Sequence, residues 1–172
     1  MLVRHSAIYL FAKLIPALLG VGSIAIYTRL LDAVDYGHFA VVYSVAGIGY
    51  SFVYAWLWLG LTRFTPVYRD REELLLGVVL RSFMLLSLIV VLVGAITAAL
   101  WSDDGTRSLV WFAIPLCCLM GWYEINQELH RARLTPGAYT FFSILRSVVT
   151  VVTSTLLAYW GLGAEGMVAG AI

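Results

Sequence analysis

The chain has 172 residues, of which 62% are hydrophobic and 12% are charged, and its mean hydropathy is +0.91. A soluble domain is only about half apolar and about a quarter charged, so this composition excludes an ordinary soluble domain. It also excludes a disordered chain, which has too little apolar surface to drive burial. The net charge of +1 gives no basic field, and no nucleic-acid partner is expected. The remaining class is an integral membrane protein.

Five apolar stretches follow one another along the chain, separated by short polar connectors with turn residues. A helix needs about 20 residues to cross about 30 Å of hydrocarbon, and each stretch approaches or exceeds that length. We therefore predict an all-α, polytopic transmembrane helical bundle with spans near residues 6–26, 39–61, 74–100, 109–125 and 139–160. A new apolar run starts at residue 167 and stops at Ile172. It predicts the start of a sixth span and a chain that is the front part of a longer protein.

The distribution of arginines predicts the orientation of the spans. With a cytoplasmic amino terminus, the inner segments hold Arg4, Arg63, Arg69, Arg71, Arg131 and Arg133. The outer segments then hold only Arg29 and Arg107, and their connectors are acidic. Cytoplasmic loops carry an excess of Lys and Arg, so we expect the amino terminus to be cytoplasmic.

The first stretch has a second interpretation as a cleaved signal peptide. Arg4 precedes an apolar region, and Ser23-Ile24-Ala25 resembles a cleavage site. Lys13 and Pro16 interrupt the apolar region, however, and the arginine distribution is consistent when the span is retained. We therefore favour a retained first span.

The fifth span has a polar face inside the membrane. At 100° per residue, one sector of the helix contains Ser143, Arg146, Ser147, Thr150, Thr153 and Ser154. The opposite side is apolar and carries Phe141, Leu145, Val148, Val152 and Leu156. An arginine at this depth costs a few kcal/mol against hydrocarbon, so Arg146 should face protein or water. The polar face either lines a wet cavity or tightens a helix interface while Arg146 extends to the headgroups.

The first two spans carry similar stripes. In the first, Tyr9 and Lys13 share one sector with Gly20, and Pro16 lies at its edge. Lys13 faces either a polar cavity or the headgroups. In the second, one face carries Tyr43, Gly47, Tyr50, Tyr54 and Trp58. Tyrosine rings can stack on sugars and hydrogen-bond to them, although the same spacing is typical of ordinary helix packing.

Other charges lie close to the helix ends. Glu124 and Glu128 share a face with Gln127 and Arg131, which fits either an ion-coupling site or a solvated helix end. Arg81 lies near the cytoplasmic start of the third span and is assigned to anchoring at the lipid headgroups.

No catalytic constellation, metal-ligand spacing or cofactor motif can be assembled from the sequence. The three histidines fall in three separate polar segments, and the adjacent Cys117 and Cys118 lie inside an apolar run. We interpret both cysteines as small buried apolar residues. The sequence thus predicts a protein that is not an enzyme and that binds neither metal nor cofactor.

Several segments resemble one family of transporters. Thr28-Arg29-Leu30-Leu31-Asp32, followed by Asp35-Tyr36-Gly37-His38-Phe39, resembles the first outer loop of the Wzx-like polysaccharide flippases, which export O-antigen and teichoic acid. Arg131-Ala132-Arg133, the start of the next span at Tyr139, and Gly161-Leu162-Gly163 leading to Gly166 resemble the fourth-to-sixth helix region of that family. The resemblance extends over essentially the whole chain.

This resemblance implies a member of the multidrug, oligosaccharidyl-lipid and polysaccharide exporter superfamily, of which the chain would form most of the first of two helical bundles. Such proteins move undecaprenyl-pyrophosphate-linked oligosaccharide across the bacterial cytoplasmic membrane by alternating access. Lys13 and Arg146 are then the candidates for pyrophosphate contact. The candidates for the sugar-binding cavity lining are Tyr9, Tyr43, Tyr50, Tyr54, Ser143, Ser147 and Thr150. Expected partners are the bilayer, the lipid-linked oligosaccharide, the missing carboxy-terminal bundle and other polysaccharide assembly proteins.

Three other interpretations remain open. A multidrug or cation extruder of the same fold should place a carboxylate deep in the first bundle, whereas the acidic residues here lie in loops or near helix ends. An enzyme acting on lipid-linked sugars would need a carboxylate or metal cluster at an interface. A non-transporting membrane subunit would use the same polar stripes as helix contacts.

Overall fold

A computed structural model describes the backbone of residues 2–100 and 104–171, and the side chains of residues 13–100, 105, 107–160 and 163–171. Its helices are α1 (Leu2–Leu30), α2 (Ala33–Phe64), α3 (Glu72–Leu100), α4 (Asp104–Ala132), α5 (Pro136–Leu157) and α6 (Gly163–Ala171). A 3-10 turn at Arg69–Arg71 precedes α3, and a π-helical turn at Ala158–Leu162 joins α5 to α6. No β-strand occurs among the described residues, so the all-α prediction is confirmed.

Five helical segments of the described chain are long and apolar enough to cross a membrane. They are Lys13–Leu30, Ala33–Phe64, Arg69–Leu100, Arg107–Ala132 and Pro136–Trp160. The predicted number of spans is therefore confirmed by helix length and composition. These helices indicate a multi-pass membrane protein.

The helix ends differ from the predicted span ends. Residues 32–37 were expected to form a connector, but α2 already begins at Ala33, and the Asp32 side chain caps it by accepting a hydrogen bond from the Asp35 N–H at 2.8 Å. Helix α4 continues through Ala132, beyond the expected span end at residue 125. Helix α5 ends at Leu157 and α6 begins at Gly163, earlier than the expected boundaries at residues 160 and 167. Hydropathy marks the part of a helix that lies in hydrocarbon, whereas backbone hydrogen bonds continue into polar residues.

The chain divides into two compact units. The first unit contains Met1–Val41 and Leu134–Ile172, and the second contains Val42–Arg133. In the first unit α1 packs along α5, and α6 folds back onto α5 after the π-helical turn. Gly163 has a φ of +52° at this reversal, a conformation that glycine adopts without strain. A Cβ atom there would also lie 2.7 Å from an Asp35 carboxylate oxygen, so both backbone and space require glycine.

In the second unit, α3 packs against α4, and the central side chain is Tyr54 of α2. Its ring is fully buried and lies with its centroid 5.1 Å from that of Phe83. Its hydroxyl group is 2.9 Å from Ser87 Oγ and donates a longer hydrogen bond of 3.6 Å to Cys118 Sγ. One tyrosine thus links α2 to both α3 and α4.

Candidate functional site

The two faces predicted for α5 are present in the structure. The polar side chains Ser143, Arg146, Ser147 and Thr150 are half-buried in the first unit. The exposed side chains of the opposite face are Phe141, Leu145, Val148, Val152 and Leu156. An apolar exposed face suits lipid, and the half-buried polar face lies toward protein. The amphipathic character of this span is therefore confirmed.

The carboxy-terminal part of the polar face is a helix contact. Thr153 Oγ1 donates a hydrogen bond of 2.7 Å to the Gly170 carbonyl oxygen, and Ser154 Oγ donates one of 3.0 Å to the Met167 carbonyl oxygen. Ser154 is completely buried. For these two residues the structure supports the interface interpretation, in which hydroxyl groups and a small residue allow two membrane helices to approach closely.

The amino-terminal part of the polar face remains the candidate site. Ser147 Oγ donates a hydrogen bond of 2.9 Å to the Ser143 carbonyl oxygen, so this hydroxyl is held against its own helix. Ser143 and Arg146 both interact with other groups in the protein. Because α1 packs against α5, the structure places the helices that carry Lys13 and Arg146 side by side. This region combines a half-buried guanidinium group with neighbouring hydroxyl groups inside a candidate membrane span.

On α1, the structure places Lys13 at an exposed position. The neighbouring Leu14 and Leu18 are also exposed, with 48% and 64% of their surfaces accessible. Pro16 lies inside the helix, where it removes one backbone hydrogen bond. The Tyr9 prediction falls outside the residues whose side chains the structure describes. Whether Lys13 meets a cargo or the headgroups stays a prediction.

The three tyrosines predicted on one face of α2 lie in different environments. Tyr43 is exposed, and Tyr50 is half-buried with its ring centroid 5.9 Å from that of Trp58. Tyr54 is fully buried, and its hydroxyl group is engaged by Ser87 and Cys118. The packing interpretation therefore accounts for Tyr54, while sugar contacts by Tyr43 and Tyr50 stay predictions.

A polar cluster at the end of α4 was only partly anticipated. Glu128 accepts a hydrogen bond of 3.1 Å from Thr62 Oγ1 of α2 and also pairs with Arg131. Arg133 Nε donates a hydrogen bond of 2.7 Å to Glu72 Oε1 at the start of α3. The carboxylates of Glu72 and Glu128 are thus engaged by groups within the second unit. The spacing of Glu124, Glu128 and Arg131 indicated the cluster, but nothing in the sequence indicated the long-range Glu72–Arg133 pair.

The structure tests the interpretation of the two cysteines in part. Cys117 is buried and Cys118 is half-buried, and both are free thiols, which agrees with an apolar packing role for Cys117. Within the described residues, no group of three or more His, Cys, Asp or Glu side chains is arranged to hold a metal ion.

Removing the Tyr54 hydroxyl group should weaken the second unit. We expect Tyr54→Phe to lower the free energy of unfolding by about 1 kcal/mol, because hydrogen bonds between membrane helices contribute about that much. Denaturation of the detergent-solubilised protein in mixed micelles measures the change. The matched control is Tyr68→Phe, which removes the same group from an exposed ring in the same unit and should leave the stability unaltered. Equal losses in the two variants would contradict a structural role for the Tyr54 hydroxyl.

Comparison with known proteins gives no relative for this fold or site: no protein-family model, no curated protein and no solved structure matches the chain.

Proposed function

We propose that this protein takes part in moving an undecaprenyl-pyrophosphate-linked oligosaccharide across the bacterial cytoplasmic membrane by alternating access. The observation that carries the proposal is the half-buried polar face of α5, where Arg146 lies among Ser143, Ser147 and Thr150 inside a candidate membrane span. A cation at membrane depth is costly and is typical of a substrate pathway. The opposite face of the same helix is exposed and apolar, as contact with lipid requires.

The chemistry of this region favours an anionic, sugar-containing cargo. A guanidinium group matches the geometry of phosphate oxygens and binds them with charge-assisted hydrogen bonds. Lys13, on the neighbouring helix α1, would supply a second positive charge. The serine and threonine hydroxyl groups of α5 and the accessible ring of Tyr43 would contact the sugars.

The proposed setting is the bacterial inner membrane, with the amino terminus in the cytoplasm. The excess of arginine at the predicted inner ends of the spans supports this orientation. Proposed partners are the lipid-linked oligosaccharide, a second helical bundle that would complete the transport pathway, and other polysaccharide assembly proteins. A multidrug or cation extruder is less consistent with the chain, because its acidic residues lie in connectors or near helix ends.

A non-transporting membrane subunit is the second candidate. The observation that favours it is the use of Thr153 and Ser154 as contacts to α6, since the remainder of the polar face could serve a neighbouring helix in the same way. In that case Arg146 would contribute to assembly, and its loss would alter complex formation without affecting lipid movement directly.

A translocation assay separates these functions. The full-length protein is reconstituted in vesicles, and the transfer of labelled lipid-linked oligosaccharide from one leaflet to the other is followed. We expect Lys13→Ala combined with Arg146→Ala to slow transfer by about tenfold or more, because a hydrogen bond to a charged group contributes about 1.5–3 kcal/mol.

The matched control removes two exposed arginines at helix ends, Arg29→Ala in the last turn of α1 combined with Arg107→Ala near the start of α4, and should transfer lipid at the wild-type rate. Unchanged transfer by a well-folded Lys13 and Arg146 double variant would reject the site. Absence of transfer by the wild-type protein, together with co-purification of a larger membrane complex, would replace the transport function with the subunit function.

A further inference from the structure

Arg81 occupies an unusual position on α3. It lies nine residues after Glu72, the first residue of the helix, which places its Cα roughly 13 Å along the helix axis. Its side chain is exposed, and among the residues that the structure describes no group forms a hydrogen bond or ion pair with it. It lies inside the candidate span Arg69–Leu100. The chain therefore presents an unpaired cation on the outside of a membrane helix.

The surface around Arg81 is otherwise apolar. At 100° per residue, the same face of α3 contains a row of large exposed side chains: Leu74, Val78, Leu85, Leu88 and Leu92. Gly77, one turn before Arg81, has no atom within 4 Å of the position that a Cβ would occupy. Side chains on a helix lean toward its amino terminus, so the arginine side chain has open space on that side. This face combines one positive charge with a continuous apolar surface.

An exposed arginine beside an apolar row is stabilised by an anion at the membrane surface, since an unpaired charge in hydrocarbon costs several kcal/mol. The chain itself offers none on α3, where the carboxylates Glu72 and Glu73 lie at the first turn and Glu72 pairs with Arg133. A second copy that packs through a two-fold interface centred on this face would supply none either, because it would place Arg81 against Arg81. Because a helical side chain leans toward the amino-terminal end of its helix, the long Arg81 side chain can extend to a phospholipid phosphate at that end of α3. The acyl chains of such a lipid match the apolar row.

We propose that this face of α3 is a binding site for an anionic phospholipid of the inner leaflet. Arg81 binds the phosphate group through its planar set of donors, and the positive ammonium group of a zwitterionic headgroup would repel the same guanidinium. Leu85, Leu88 and Leu92 pack against an acyl chain. The proposal goes beyond general anchoring at the headgroups, because it names one lipid class and one residue that binds it. It does not depend on the transport function proposed above.

Lipid retention tests the site. The full chain is reconstituted in vesicles of mixed phosphatidylcholine and phosphatidylglycerol, extracted into mild detergent, and examined by native mass spectrometry for the lipids that remain bound. We expect Arg81→Gln to lower phosphatidylglycerol retention by about tenfold, which corresponds to about 1.4 kcal/mol and is typical of the loss of a charge-assisted hydrogen bond. Arg81→Lys should retain an intermediate amount, because an ammonium group keeps the charge but loses the bidentate geometry.

Arg71→Gln is the matched control, because Arg71 is also exposed but lies in the connector before α3. It should leave phosphatidylglycerol retention near the wild-type value, and retention of phosphatidylcholine should not differ among the variants. Equal loss from Arg71→Gln and Arg81→Gln would replace a specific site with general surface charge. Unchanged phosphatidylglycerol retention in Arg81→Gln would overturn the proposal. So would a dimer, or a co-purifying helical protein, that forms with the wild type and is lost in Arg81→Gln.

Discussion

Replacing Gly170 with alanine is expected to separate α6 from α5 and to lower the stability of the first unit by about 3 kcal/mol. A Cβ at this position would overlap the Ser154 backbone and would lie 2.7 Å from the Thr153 carbonyl carbon. These are backbone atoms, so no side-chain rotation relieves the overlap. The Thr153 and Ser154 hydrogen bonds to α6 depend on the same close approach and would be lost with it.

Two measurements check this result. The free energy of unfolding in mixed micelles gives the magnitude, and hydrogen–deuterium exchange of the 163–171 segment locates the effect. We expect faster exchange in α6 and little change in the second unit. The control is Gly77→Ala, also within a helix, where a new methyl group would meet nothing and should be neutral or slightly stabilising. Slow exchange of α6 in a destabilised Gly170→Ala protein would show that this crossing is not the site of the damage.

The features that the sequence predicted correctly are local ones. Hydropathy marked the five spans because the need to cross hydrocarbon acts on each stretch separately. The two faces of α5 could be read from residue spacing, because a helix places Leu145, Val148 and Val152 on one side whatever its neighbours are. The predicted helix ends were less accurate. Asp32 caps the start of α2, and Gly163 begins α6 with a positive φ, and hydropathy detects neither feature.

The partners of each face could not be predicted, because they depend on which helices meet. The six polar residues of α5 occupy one sector of the helix, and the sequence does not distinguish their partners. In the structure Thr153 and Ser154 contact α6, while Ser147 hydrogen-bonds within its own helix. Tyr43 and Tyr54 belong to one stripe, but one ring is exposed and the other is fully buried. A periodic pattern defines a face, and only the packing of the neighbouring helices decides whether that face binds a ligand or another helix.

The second large effect is expected from Gly121→Ala in α4. A Cβ there would overlap the Tyr54 ring, with Cε2 at 2.7 Å and Cγ at 2.9 Å. The ring cannot move aside easily, because its hydroxyl group is bound to Ser87 and its face packs against Phe83. We expect a loss of about 2 kcal/mol in the free energy of unfolding, the usual magnitude for overpacking a closely packed contact.

A double-mutant cycle assigns this loss to the Tyr54 contact. Tyr54→Leu alone should destabilise the second unit, whereas Gly121→Ala in the Tyr54→Leu background should cost much less than in the wild type, because the overlapping ring is absent. Gly60→Ala is the control within α2, where the added methyl group meets no atom and stability should be kept. If Gly121→Ala lowers the free energy of unfolding equally in both backgrounds, overlap with the Tyr54 ring is not the cause of the loss. The second unit is then held together by the other contacts between α3 and α4.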